Sequence, residues 1–185
     1  MFELENVRKQ AQNSQNQTKT VRIAHSPTNR TVKSTNFIMK VVQTLFNQGF
    51  PVSLDLIERT PYAKVLERKA KADILVDQLH LGYGNSSIEA MCMGIPVIAG
   101  VSDPRTREFM VDTWGGLPFY QTDEESLEKH LIELITDAGL RSHWGKVGYQ
   151  HVVKYHNEQT VSDQLAAHYR AAAEAPFAVE RASDG

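Results

Sequence analysis

The chain has 185 residues, 41% of them hydrophobic and 23% charged, with a formal net charge of −2 at neutral pH. That length suits one domain with a filled core, and so small a charge gives no general pull toward nucleic acid or an anionic membrane. No apolar run reaches the roughly 20 residues that span a bilayer and the polar N-terminus lacks a signal-peptide pattern; with a lone Cys92 and no internal disulfide, a reducing cytoplasm is the expected setting.

Residues 1–18 are rich in Gln, Asn and Lys and read as a polar N-terminal arm, mobile or a frayed helix. Val21 to His25 reads as a first strand. Ile38, Val41, Val42 and Leu45 then recur at the spacing of an amphipathic helix, which Gly49 ends. A second strand is predicted over Val52 to Ile57, a helix over Tyr62 to Lys71 and a third strand over Asp73 to Asp77. A loop and helix follow, then a fourth strand at Pro96 to Ala99 and a fifth at Leu117 to Tyr120. Thr122 and Glu125 form a capping-box pattern ahead of Leu127, Leu131 and Leu134. Two further helices carry Trp144, Val147, Val152 and Tyr155, then Val161, Leu165 and Tyr169. From Ala173 the Ala- and Glu-rich end reads as a flexible tail, 173–185.

Strands alternating with helices imply right-handed crossovers. The expected fold class is therefore α/β, Rossmann-like over residues 19–172: a mainly parallel sheet of about five to six strands with helices on both faces. Such sheets bind ligands outside the carboxyl ends of their strands. The segments after His25, Ile57, Asp77 and Ala99 are thereby selected.

The most informative stretch is Gly82-Tyr83-Gly84-Asn85-Ser86-Ser87-Ile88-Glu89-Ala90-Met91, followed by Gly94-Ile95-Pro96-Val97-Ile98-Ala99-Gly100. A small-residue loop opening a helix lets a phosphate approach the free N–H groups and the positive end of the dipole. Glu89, one turn in, can accept hydrogen bonds from sugar hydroxyls. An ordinary loop-to-helix turn satisfies the same pattern. Arg30 and Lys33 follow the first strand, where a guanidinium and an ammonium can hold a diphosphate or stand as solvated surface cations. His25 can serve a phosphate, a sugar hydroxyl or proton transfer, or be a packed histidine. Asp77 and Gln78 end the third strand, facing base, ribose or sugar, or bonding nearby loop amides. Tyr83 is a lid or a packing anchor. His25 and Asp77 are the catalytic candidates; Arg30, Lys33, Tyr83, Gly84, Asn85, Ser86, Ser87 and Glu89 are the binding candidates. No metal site is expected, since His151 and His156 fall at helical angles too far apart for one ligand face.

These motifs resemble the nucleotide-sugar-binding half of GT-B-fold glycosyltransferases, in particular the large retaining family typified by sucrose and mannosyl transferases. Arg30 and Lys33 match its basic pair, Ala72 to Val76 its strand before the donor loop, and Tyr83-Gly84, Glu89-Ala90-Met91 and Gly94 to Ile98 its donor signature. The segment from Leu127 to Tyr169 is similar to its C-terminal helices.

The resemblance implies that Glu89 holds the ribose hydroxyls of a UDP- or GDP-linked sugar. It also implies that the backbone of Gly84 to Ser87, with Arg30 and Lys33, holds the diphosphate. No metal or other cofactor is implied. The family's second acid, eight positions before Glu89, is replaced by Leu81, unless Asp77, Gln78 or His80 substitutes. Only one of the two GT-B domains fits this length, so an acceptor domain from another segment or chain, or a homo-oligomer, is expected as partner. The stretch Gly84-Asn85-Ser86-Ser87 with Glu89-Ala90 is also similar to the phosphate loop of UDP-N-acetylglucosamine 2-epimerases. An inactive nucleotide-binding module is the third reading.

Overall fold

The computed structural model describes residues 20–174 together with Leu4 and Asn6. The polar arm therefore lies outside the described residues except for those two positions, as does the predicted tail beyond Glu174. Five strands, β1 (Val21–His25), β2 (Val52–Leu56), β3 (Ile74–Val76), β4 (Val97–Ala99) and β5 (Tyr120–Gln121), form one sheet in the order β2-β1-β3-β4-β5. Every pairing within it is parallel. The helices are α1 (Thr35–Asn47), α2 (Tyr62–Lys69), α3 (Asn85–Cys92), α4 (Pro104–Trp114), α5 (Leu127–Thr136), α6 (Ala138–Tyr155) and α7 (Glu158–Glu174). The expected Rossmann-like α/β architecture is what forms.

Strand alternation sorts the core into two layers. Ile23, Ile74, Val76 and Ile98 face α1 and α5, against Ile38, Leu45, Leu131 and Leu134. Ala24, Leu75, Val97 and Ala99 face the other way, toward Ala70 at the end of α2, Ala90 and Met91 of α3 and Val152 of α6. The stripe predicted for α1 is wholly inward: Ile38, Val41, Val42 and Leu45 are all buried. Cys92 is buried on α3.

Three local expectations shift. The fifth strand begins at Tyr120 rather than Leu117, because Gly115 and Gly116 both take positive φ and Pro118 has no amide to give a ladder. The Thr122–Glu125 capping box does not form. Instead the Asp123 carboxylate, a stronger acceptor than a hydroxyl, takes the Ser126 amide at 2.8 Å, and α5 starts at Leu127. Helix α4 has no counterpart in the apolar pattern, since none of its residues is buried. Its ends were nonetheless written in the chain: Asp103 accepts from the Thr106 amide at 2.8 Å, Pro104 takes the first turn and Gly115 closes it.

Candidate functional site

In the order β2-β1-β3-β4-β5 the chain moves outward from β1 to β2, then returns to β3 on the other side of β1. A crevice opens outside the carboxyl ends at such a switch point. His25 ends β1, and Asp77 follows β3 directly. The segments leading from these ends into α1 and α3 meet there.

Asp77 is the centre of the inner layer. Its side chain is 1% exposed and forms an ion pair with Lys33. Its Oδ2 also accepts from the Gly84 amide at 3.1 Å and the Ser87 hydroxyl at 2.5 Å. A carboxylate is favoured at a helix N-terminus, so Asp77 serves as an internal anion for the first turn of α3. Lys33 keeps a little exposure, its side chain reaching 11%. An ammonium has three donors, so binding Asp77 leaves Lys33 capacity for a second anion. Asn85 is exposed and Ser86 half-buried. As the first residues of a helix, their amides have no carbonyl four positions back inside it.

His25 is fully buried beneath this layer. Its Nδ1 lies 2.8 Å from the Val76 carbonyl and its Nε2 2.9 Å from the Thr35 hydroxyl. A carbonyl only accepts, so Nδ1 carries the proton. Burial pushes the imidazole below its usual pKa, which leaves Nε2 to accept from Thr35. Both nitrogens of this candidate are thus engaged within the fold.

Glu89 belongs to an adjacent polar cluster. Its Oε2 is 2.6 Å from Lys69 Nζ, and its Oε1 accepts from the Tyr62 hydroxyl at 3.1 Å. Lys69 also donates to Ser86 Oγ at 2.9 Å. The carboxylate therefore turns away from the apolar layer, with its side chain 15% exposed. Lys69 was not singled out from the sequence. Its signal was available: it follows Val65 by four positions, placing a lysine on the inward register of α2.

Arg30 stands at the outer rim, paired in bidentate fashion with Glu58 at 2.7 and 2.5 Å. Hydrogen bonds from this guanidinium hold the Glu58 carboxyl below its usual range. Both line a cleft of about 1000 Å³ between the segments after β1 and β2, walled by Pro27, Thr28, Ile57 and Thr60. The rule for open sheets selects the segment after Ile57, but nothing local marks Glu58 as the partner of a residue 28 positions away. Leu81, where the resemblance looks for a second acid, is 64% exposed. Of the possible substitutes, Gln78 is buried, while His80 is exposed and lies 3.4 Å from Glu124.

Tyr83 is placed apart from these clusters. Its ring packs against Trp114 and Phe119, and its hydroxyl lies 2.9 Å from Nε2 of both His151 and His156. The two histidines were expected to diverge, yet their ring centroids are 5.3 Å apart. His156 is the C-cap of α6, with φ −119 and ψ 12, so counting helical angles past Tyr155 fails. Among the described residues no group of three or more His, Cys, Asp or Glu side chains is placed to hold a metal.

The Tyr83 hydroxyl can donate to one imidazole while accepting from the other, and the imidazole that takes its proton must be neutral. Burial agrees, pushing His151 down to about 4 and His156 below its usual value. The unfolded chain takes up these protons near pH 6.5, whereas folded His151 resists until about 4. Stability is therefore intact above pH 6.5 and is lost as pH falls toward about 4. Urea unfolding between pH 7.5 and about 5 should show this decline, and His151→Gln should flatten it. An unchanged slope in that variant would dissociate the decline from this pair.

The family model described as "Glycosyl transferases group 1" matches residues 47–151, more than half of the chain. The chain belongs to the group 1 glycosyltransferases. No curated protein sequence matches it. Among solved structures, it is similar to the C-terminal domain of LpcC, a glycosyl transferase group 1 family protein from Francisella tularensis. That match has a TM-score of 0.56 at 19% identity and covers 83% of this chain and 94% of that domain. S. aureus TarM, solved with fondaparinux, alpha-GlcNAc-glycerol and UDP, matches with a TM-score of 0.59 at 12% identity, over 82% of this chain and 36% of TarM. Sucrose-phosphate synthase from Thermosynechococcus elongatus matches at 0.56 and 18%, over 88% of this chain and 48% of the synthase. At such identities the likeness is one of fold, and it is to the C-terminal half of GT-B enzymes. This group 1 domain thus spans a third to a half of those longer relatives. No described helix is long and apolar enough to cross a membrane.

Proposed function

We propose that this group 1 domain binds the nucleoside diphosphate of a UDP- or GDP-linked sugar, and that transfer to an acceptor requires an acceptor domain from another segment or chain. The observation that carries this reading is the setting of Glu89. It lies one turn inside the helix at the switch point, turned into a polar cluster beside the first-turn amides, with Lys33 across the crevice. In that arrangement Glu89 accepts from ribose hydroxyls. The amides of Asn85 and Ser86, with Lys33 and Arg30, receive the diphosphate. Tyr83 supports the loop from behind, while Gly84 and Ser87 fix its start through Asp77. Fixed donors and cations of this kind stabilise charge on a departing diphosphate, so the chemistry needs positioning more than proton transfer. His25 and Asp77 act as supports for that geometry. The group 1 match favours transfer over the epimerase reading.

Arg30 is the clean probe. It is exposed and its pairing with Glu58 contributes little to folding. The diphosphate would take the guanidinium over from Glu58 at low cost. Calorimetry should detect binding of UDP or GDP, and Arg30→Ala should weaken it about ten- to a hundredfold without altering the unfolding curve. Absence of binding by any nucleoside diphosphate or nucleotide sugar would remove the proposal.

A further inference from the structure

We infer that Lys69 is a positioning residue for donor recognition: it aims the Glu89 carboxylate at the ribose and couples it to the diphosphate loop through Ser86. The inference rests on the donor-binding reading above and assigns it a residue outside the expected signature.

Lys69 is among the most deeply buried large side chains of the described residues, 2% exposed at the end of α2. Burying an ammonium is costly unless it is paired and hydrogen-bonded. An apolar side chain would fill this inward position without that cost. The head group is not idle: it spans Glu89 Oε2 at 2.6 Å and Ser86 Oγ at 2.9 Å, two groups on consecutive turns of α3. The far oxygen of Glu89 is held by the Tyr62 hydroxyl at 3.1 Å, from the first residue of the same helix α2.

Glu89 is thus tethered at both oxygens by the two ends of one helix. Each carboxylate oxygen has two lone pairs, so one acceptor direction per oxygen is spent on the tether. The carboxylate remains able to take two sugar hydroxyls with its orientation already set. A glutamate otherwise loses rotamer freedom when it engages a ligand; here much of that ordering has been done by folding. The ammonium also offsets the charge of Glu89 beside the first-turn amides, where an unpaired carboxylate would repel a diphosphate.

The test compares a ribonucleoside diphosphate with its 2′,3′-dideoxy analogue, using UDP and GDP and the full chain. The wild type should prefer the ribose form by about tenfold or more. Lys69→Met should reduce that preference toward unity while weak binding through the diphosphate persists. The ratio of the two dissociation constants is not moved by a uniform loss of stability, so it separates positioning from a merely structural role. Tyr62 is 64% exposed, so Tyr62→Phe carries little folding risk and should narrow the preference in part; it decides the matter if Lys69→Met does not fold. A full ribose preference retained in Lys69→Met, or in Tyr62→Phe where Lys69→Met is unfolded, overturns the inference. So does a wild type that binds both forms equally, although donor binding as such would stand. Failure of the wild type to bind either form falls on the donor-binding reading itself.

Discussion

Asp77→Ala is expected to destabilise the protein by about 3–5 kcal/mol, the range for removing one partner of a buried ion pair. The reason is what it leaves behind. Lys33, with only 11% of its side chain exposed, would keep its charge without its carboxylate. The Gly84 amide and the Ser87 hydroxyl would lose their acceptor in the same step. Three groups that fix the start of α3 are unsatisfied by a single truncation, and each buried donor left unmade has its own cost. Asp77→Asn keeps an oxygen for Gly84 and Ser87 but not the charge, and should fall between the wild type and alanine. Combining it with Lys33→Met removes the orphaned ammonium and should recover part of the loss. Urea unfolding at neutral pH measures all three. An alanine variant within about 1 kcal/mol of wild type would mean that the pair is solvated and surface-like.

Gly100→Ala is expected to reach or exceed the upper end of the roughly 1–3 kcal/mol typical of overpacking. A Cβ at this position would lie 2.1 Å from the Leu79 carbonyl oxygen and 2.5 Å from that of Thr122. Both obstacles are backbone, so no side chain can swing aside. The Leu79 segment is held where it is by Gly100 itself, whose amide donates to Gln78 at 2.8 Å and whose carbonyl accepts from Gly82 at 2.7 Å, and Thr122 is held next door by its amide on the Ala99 carbonyl at 2.9 Å. A methyl group would therefore push the Gln78 to Gly82 segment off the end of β4, and with it the approach to Gly84. Thermal unfolding together with nucleoside diphosphate titration would show both effects. A variant with wild-type stability and binding would mean that this crowding is relieved by small backbone shifts.

The chain announced its architecture because architecture is written among near neighbours. The stripe Ile38, Val41, Val42 and Leu45 needs only a helical period, and Ile74-Leu75-Val76 needs only a buried strand of short length. Glycines 82 and 84 and the small residues after them announced a helix start, and α3 opens there at Asn85. Even α4, which lacks an apolar stripe, was marked by Asp103, Pro104 and Gly115 at its ends.

Partner choice was another matter. Lys33 and Asp77 are 44 positions apart, and Lys69 and Glu89 are 20 apart. Nothing local says that Asp77 will plug the turn at Gly84, or that Arg30 will settle on Glu58. Which charges meet depends on which strand ends the topology makes adjacent and on how deeply packing buries them. A buried charge must take whatever counter-charge the fold brings within reach, whereas an exposed one is satisfied by water. Periodicity and turn chemistry act within a few residues and were fixed before the chain closed. The ion pairs around the crevice were decided only when β1, β3 and the ends of α2 and α3 came together.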